Sequence, residues 1–485
     1  MNSSPRVILS GHHMRGSRVG FGSAWFLVLA AVAGAQPAQS GQPAPQRPLN
    51  PTQEIAKEQP EGRSLDAGPA KLRIGGYVGL HGIYRSTNSG GGVGTNFATI
   101  PYADIVQGNV SESRLSAQAS RLSIRVDADY PQDARFNRLS GYFEMDFAGD
   151  TPGTVAVTAS GVGFRLRLAF AEVQYGQTFF LAAGQAFSLM TAPKDQLSIW
   201  PADVELSQAV DLNYVAGMIW DRAPQVRLTW RPSTRFNWAV SVENPEQQLG
   251  RGLVALPECC ADDIDAQYNT GADELRAPNL MPDLSTRVTY SPRPSFHVDA
   301  GGVLRAFRHT VAPYDEDFKA AGGGVSLNVR VNPTRTTKIF GQGAAGSGLG
   351  RYIGGLVPDA AFGSDGSISL IDTTSWVAGV EQSVTDRVSV AGYFSGVNTD
   401  GNYSTDRDGH PIGFGYPGSP NSNNRTIKEL TATGAYQIVR TPDRGSAQFN
   451  AQVSWLTREP FSTPQNEPSS ARTFMFLAQI RYNLP

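Results

Sequence analysis

From Lys71 onward the chain alternates polar and apolar residues in short runs, and clusters of Gly, Asn, Asp and Pro break the alternation. In Gln448-Phe449-Asn450-Ala451-Gln452-Val453-Ser454-Trp455 every second side chain is polar and every second apolar. Asn237 to Val242, Ser326 to Val331 and Arg227 to Trp230 repeat the pattern. Successive strand side chains point to opposite faces, so each run predicts a strand with one wet face and one greasy one. The runs place strands at about 72–85, 114–130, 137–148, 164–175, 178–187, 217–231, 235–243, 283–291, 295–307, 319–331, 336–345, 372–383, 387–398, 427–440, 446–458 and 472–483.

Alternation alone would also suit a soluble sandwich, but the connections discriminate. They alternate long and short throughout, with tight turns such as Gly176-Gln177 and Thr385-Asp386 after the even strands. Long loops at one end, tight turns at the other and an even strand count predict an all-β fold. It is a transmembrane antiparallel β-barrel of sixteen strands, with short periplasmic turns, long extracellular loops and an address in the bacterial outer membrane. Both ends of the barrel then fall on the tight-turn side. Reading 217–231 as one strand, interrupted near Asp221 to Pro224, preserves the parity.

Charged positions orient the strands, because an Arg facing lipid at mid-bilayer costs about 2–4 kcal/mol whereas a water-filled lumen keeps it hydrated. Arg121 and Arg125 share a face with Ser123 and Asp127, opposite Leu122, Ile124 and Val126. Arg165 and Arg167 oppose Phe164, Leu166 and Leu168, and Glu144 and Asp146 oppose Phe143, Met145 and Phe147. Arg227 and Arg287 fall on inward faces too, as do Tyr77, His81 and Tyr393. Sixteen strands enclose more space than side chains fill, so a channel is expected. The connection 188–216 is the one expected to fold inward as a constriction, carrying Lys194, Asp195, Asp203 and Glu205. The expected lining is thus Arg121, Arg125, Arg165, Arg167, Arg227 and Arg287 with Glu144, Asp146 and Lys194. That set either favours anions or pairs internally to keep a polar wall satisfied, and the two roles are compatible.

The start of the chain reads differently. Arg15 and Arg18, the apolar run 24–32 and Ala33-Gly34-Ala35 predict an export signal over 1–35. A Pro- and Gln-rich periplasmic tether over 36–70 follows, and the barrel occupies 71–485. Lys and Arg number 41 against 43 Asp and Glu, a net charge of −2, which gives no basis for nucleic-acid binding. The cysteines are the adjacent Cys259 and Cys260, read as a loop feature or vicinal bridge, with a link between subunits as the alternative.

No nucleophile elbow, phosphate loop, HExxH or CxxC pair occurs, so no enzyme activity, cofactor or metal is expected. Asp262-Asp263-Ile264-Asp265 and the run 400–408 could hold a hard cation, though loop solvation explains them as well. His297 and Asp299 share an inward face without an evident serine partner, which leaves a barrel-embedded esterase a remote alternative.

Ile74-Gly75-Gly76-Tyr77-Val78, Ser120-Arg121-Leu122-Ser123-Ile124 and Tyr142-Phe143-Glu144-Met145-Asp146-Phe147 resemble segments of the DcaP-like trimeric porins. So do Arg165-Leu166-Arg167 with Ala171-Glu172-Val173, Ala183-Gly184-Gln185 and Ala223-Pro224-Gln225-Val226-Arg227. The resemblance covers most of the first half of the barrel. It implies a homotrimer among outer-membrane lipids that takes up small anions such as dicarboxylates. The expectation from residues and resemblance together is a passive diffusion channel for small hydrophilic solutes with an anion preference. A carbohydrate- or phosphate-specific channel is the alternative.

Overall fold

The computed structural model describes residues 64–485 except 90–91, 132–134, 150–162, 251, 269–280, 312–315, 442–443 and 464–467. The expected signal over 1–35 and most of the tether lie outside these residues. Sixteen antiparallel strands close into one barrel. In chain order they are β1 (Ala70–Arg85), β2 (Glu112–Ser116 and Arg121–Asp129, two segments), β3 (Arg138–Asp146), β4 (Arg165–Tyr175), β5 (Phe179–Phe187), β6 (Arg222–Trp230), β7 (Phe236–Glu243) and β8 (Asp283–Arg293). They continue as β9 (Phe296–Val311), β10 (Glu316–Val331), β11 (Thr337–Ser347), β12 (Asp372–Ser383), β13 (Val388–Thr399), β14 (Asn424–Thr441), β15 (Gly445–Pro460) and β16 (Ala471–Asn483). Closure comes from β1, which pairs with β2 on one side and with β16 on the other. A closed ladder leaves no strand edge unpaired, the condition for a β-structure to cross a bilayer.

The two faces separate as the alternation requires. On β15, Gln448, Asn450, Gln452 and Ser454 are buried inside while Val453 and Trp455 stand exposed outside. On β16, Phe474, Phe476, Ile480 and Tyr482 form the outer row and Gln479 lies inside. Trp230, Trp238, Tyr290, Tyr436 and Tyr482 are exposed near the tight-turn end, where amphipathic rings suit a membrane interface.

Three local departures from the expected pattern bear on the lumen. The second strand breaks at 117–120 rather than running through, and only its lower segment meets β3. Between β3 and β4 the ladder shifts from Glu144–Leu168 to Met145–Leu166, so Arg167 is the extra residue of a bulge. Parity reverses below it, and Leu168, expected on the lipid face, is fully buried inside against Phe170, Ile199 and Val204. The sixth strand begins at Arg222, so 217–221 belong to the inward loop, which runs 188–221 rather than 188–216.

The long-loop end is covered by more than one loop. Phe97, Ile100 and Tyr102 from the connection after β1 pack with Ile353, Leu356 and Val357 from the connection after β11. Cys259 and Cys260 are bonded to each other, just before a short helix, Ala261–Gln267, that carries Asp262, Asp263 and Asp265. Asp406 accepts from the backbone N–H groups of Asp408 and His410 at 3.0 and 2.8 Å, a turn-forming role.

Candidate functional site: the constricted lumen

The connection 188–221 leaves β5 and crosses the lumen. Its apolar residues Ile199, Val204, Val215 and Met218 are buried against inward residues of the wall. At Gly217 the backbone has φ +81° and a Cβ would meet the Gly396 carbonyl of β13 at 2.2 Å, so only glycine lets the loop lie flush there.

Polar contacts pin the loop to successive strands. Arg287 on β8 donates to the Leu189 and Met190 carbonyls at 2.7 and 3.0 Å. Glu205 accepts from Arg330 of β10 at 2.9 Å and from Lys338 of β11 at 2.7 Å. Gln208 donates to Glu381 of β12 at 2.8 Å, and its N–H donates to the Tyr393 hydroxyl of β13 at 2.8 Å. Glu429 of β14 accepts the Ala216 N–H at 2.7 Å, and Gln452 of β15 accepts the Val210 and Asp211 N–H groups at 2.5 and 3.0 Å. On the near side Trp200 Nε1 donates to Glu172 of β4 at 3.0 Å.

The carboxylates of this loop are spent on holding it. Asp203 accepts from the N–H groups of Asp195, Gln196 and Ser198 at 2.9, 3.2 and 2.7 Å, and burial pushes its carboxyl above the ordinary range despite them. Asp211 accepts from the Thr95 N–H at 3.0 Å and from the Thr95 hydroxyl, and burial raises its carboxyl likewise.

The space that remains lies against the arc formed by β15, β16, β1, β2 and β3. A cavity of about 260 Å³ runs there, bordered by Arg121, Arg125, Lys194 and Arg481 as cations and by Glu144 and Asp211 as acids. Tyr77, Tyr142, Trp200 and Tyr214 supply aromatic walls. Tyr77 stands between two guanidiniums, with Arg121 at 5.5 Å and Arg481 at 4.8 Å from its ring centroid. Its position depends on Gly76, where φ is +117° and a Cβ would meet the Arg121 carbonyl at 2.1 Å. Arg125 stacks on Trp200 at 4.0 Å and is braced by Asp127 at 2.7 and 2.9 Å. Arg125 and Trp200 also border a second cavity of about 370 Å³ on the tight-turn side, lined by Arg138 and Arg231.

The expected arginine wall is therefore divided by role. Arg121, Arg125, Glu144 and Lys194 meet around the 260 Å³ cavity. Arg167 is buried and binds Glu144 at 2.8 Å and Asp146 at 3.1 Å, while Arg165 binds Asp146 at 2.7 Å from the rim. Arg227 and Arg287 are on the inner wall but beneath the loop; Arg227 donates to Gln225 and to the Phe187 carbonyl. Arg481, Tyr77 and Trp200 complete the site. The inward position of Tyr77 is legible from alternation, but nothing in the sequence places Trp200 beneath Arg125.

One constellation resembles hydrolytic machinery. Ser291 Oγ lies 2.7 Å from His297 Nδ1, and His297 Nε2 lies 2.9 Å from Asp299. Arg287 and Asn328 also bind Asp299, at 2.7 Å each. The Ser291 N–H donates to the Arg235 carbonyl and is not free to steady an oxyanion, and neither cavity is lined by Ser291. The trio holds the inner wall together.

No protein-family model and no curated protein sequence matches the chain. Among solved structures, the outer-membrane channel DcaP of Acinetobacter baumannii superposes with a TM-score of 0.62 at 16% identity, over 87% of this chain and 99% of that one. An anion-selective porin from Comamonas acidovorans aligns over 86% of this chain and 100% of its own, at 10% identity and a TM-score of 0.47. Salmonella typhi OmpF aligns over 87% and 100% at 10% identity and a TM-score of 0.46. The chain thus shares the fold of the DcaP channel, a closed antiparallel barrel of sixteen strands.

Proposed function

We propose that the protein is an outer-membrane porin, a passive channel for small hydrophilic solutes that prefers anions, dicarboxylates among them. One observation carries the preference. Four cationic side chains and two carboxylates border the cavity of about 260 Å³, an excess of two positive charges. Two unit charges about 4 Å apart interact by roughly 1 kcal/mol in water and about 4 kcal/mol at an effective dielectric of 20. A narrow protein-walled passage lies between those limits, enough for an order-of-magnitude bias in ion permeability.

The mechanism is electrostatic selection without chemistry. Arg481, Arg121 and Arg125, on β16 and β2 around Tyr77, offer successive guanidinium forks to an anion moving along the wall. Lys194 and Trp200 on the opposing loop set the width. We further propose that 1–35 is a cleaved export signal, that 36–70 is a periplasmic tether, and that the working unit is a homotrimer. The test is the zero-current potential of the purified protein in a planar bilayer under a KCl gradient. A potential of the sign set by chloride supports the reading, and one set by potassium refutes the anion preference.

A further inference from the structure

On the long-loop side of the constriction lies a cavity of about 540 Å³, bordered by Asn96, Gln185, Trp220, Arg222 and Arg351. The guanidinium of Arg222, the first residue of β6, lies 5.5 Å from the Trp220 ring centroid. Its Nη1 is buried without a hydrogen-bond partner, and among the described residues no carboxylate is within ion-pairing distance of Arg222.

The neighbouring acids are already committed. Asp221 binds Arg351 at 2.7 Å, Asp146 binds Arg165 at 2.7 Å, and Glu144 binds Arg167 at 2.8 Å. Glu246 borders the same cavity but makes no ion pair with Arg222, so the vacancy is local to this guanidinium. The wall beside the cavity is held by a side chain rather than by backbone pairing. The β4–β5 ladder ends at Ala169 and Gln185 although the strands continue to Arg165 and Phe187, and Gln185 Nε2 instead donates to the Leu166 and Arg167 carbonyls at 3.3 and 3.1 Å. Leu166 and Gln185 both border the cavity, which therefore reaches the seam.

A buried N–H of a charged group is costly to leave unmade, and a guanidinium matches the geometry of a carboxylate or phosphate. We propose that Arg222 with Trp220 forms an outer oxyanion subsite, which captures a solute carboxylate or phosphate in the mouth before it reaches the constriction. The subsite rests on the reading of the chain as a diffusion channel and adds a station that the passage residues do not provide.

Inorganic phosphate, added on the long-loop side of the full-length protein in a planar bilayer, tests it. Phosphate should lower the KCl conductance saturably. Arg222→Gln should raise the half-saturating concentration about ten-fold or more, the loss expected for one charge-assisted contact, and Arg222→Lys should fall between. The sign of the zero-current potential should stay as in the wild type, because it is set at Arg121 and Arg125. Identical titrations of wild type and Arg222→Gln would overturn the subsite while leaving the channel reading intact. A wild-type protein that conducts no ions would instead fail the channel reading. Repeating the titration in lipid A bilayers and in bilayers of a phosphate-free galactolipid separates the sources of the oxyanion. Equal titrations assign the site to solutes, and a response confined to the galactolipid would overturn solute capture in favour of a lipid phosphate.

Discussion

Lys338 Nζ lies 2.7 Å from Glu205 Oε1, an ion pair that fastens the middle of the constriction loop to β11. Both groups are buried, and the pair belongs to a chain of charges, with Glu381 at 2.8 Å from the same ammonium and Asp195 at 2.7 Å from the Arg330 that also holds Glu205. Breaking a buried pair from one side costs about 3–5 kcal/mol, because it strands the other charge.

Glu205→Ala should therefore release the loop. Asp195 and Glu381 retain part of the pairing, so the lower end of that range is expected. Single-channel recording should give a higher conductance with more open-channel noise, and uptake of larger solutes should rise. A conductance and noise level equal to wild type would mean that the loop is held elsewhere.

The double variant Arg121→Gln, Arg125→Gln should move the zero-current potential in a KCl gradient towards potassium. Both guanidiniums border the passage, whereas Arg227→Gln, beneath the loop, should shift it far less. Equal shifts from the two changes would show that the field of the whole wall, rather than the passage, sets selectivity.

Replacing Cys259 and Cys260 by Ser should leave the oligomer size on non-reducing gels unchanged, since the two sulfurs bond to each other. A subunit-linked band in the wild type that reductant removes would contradict this pairing.

Sidedness follows from loop length. In that cysteine-free background, a cysteine at Asp408 should react with an impermeant thiol reagent on intact cells and one at Asp386, in a tight turn, should not. The reverse result would invert the barrel.

Strand positions were legible because lipid on one side and water on the other impose a period of two. Thus β12, expected at 372–383, spans Asp372–Ser383, and most other boundaries moved by only a few residues. Alternation could not reveal the bulge at Arg167, since an inserted residue reverses parity without changing composition, and Leu168 was misplaced for that reason. Nor could it separate arginines on the passage from those covered by the loop. Arg287 and Arg121 have the same pattern in sequence, and only the path of 188–221 gives them different partners. Arg222 was passed over because Asp221 to Pro224 read as an interruption rather than as the head of a strand.

The unequal strands have a consequence for their surroundings. The strands β3 and β5 have 9 residues each, whereas β14 has 18 and β15 has 16. At about 3.4 Å per residue and a tilt near 40°, that is roughly 23 Å of wall on one side and about 45 Å on the other. The apolar band of such barrels is about 25 Å tall, so the short strands are no longer than the band while the long ones exceed it by some 20 Å. The surplus length of β14 and β15 beyond that band is bathed by water on its outer face rather than by lipid.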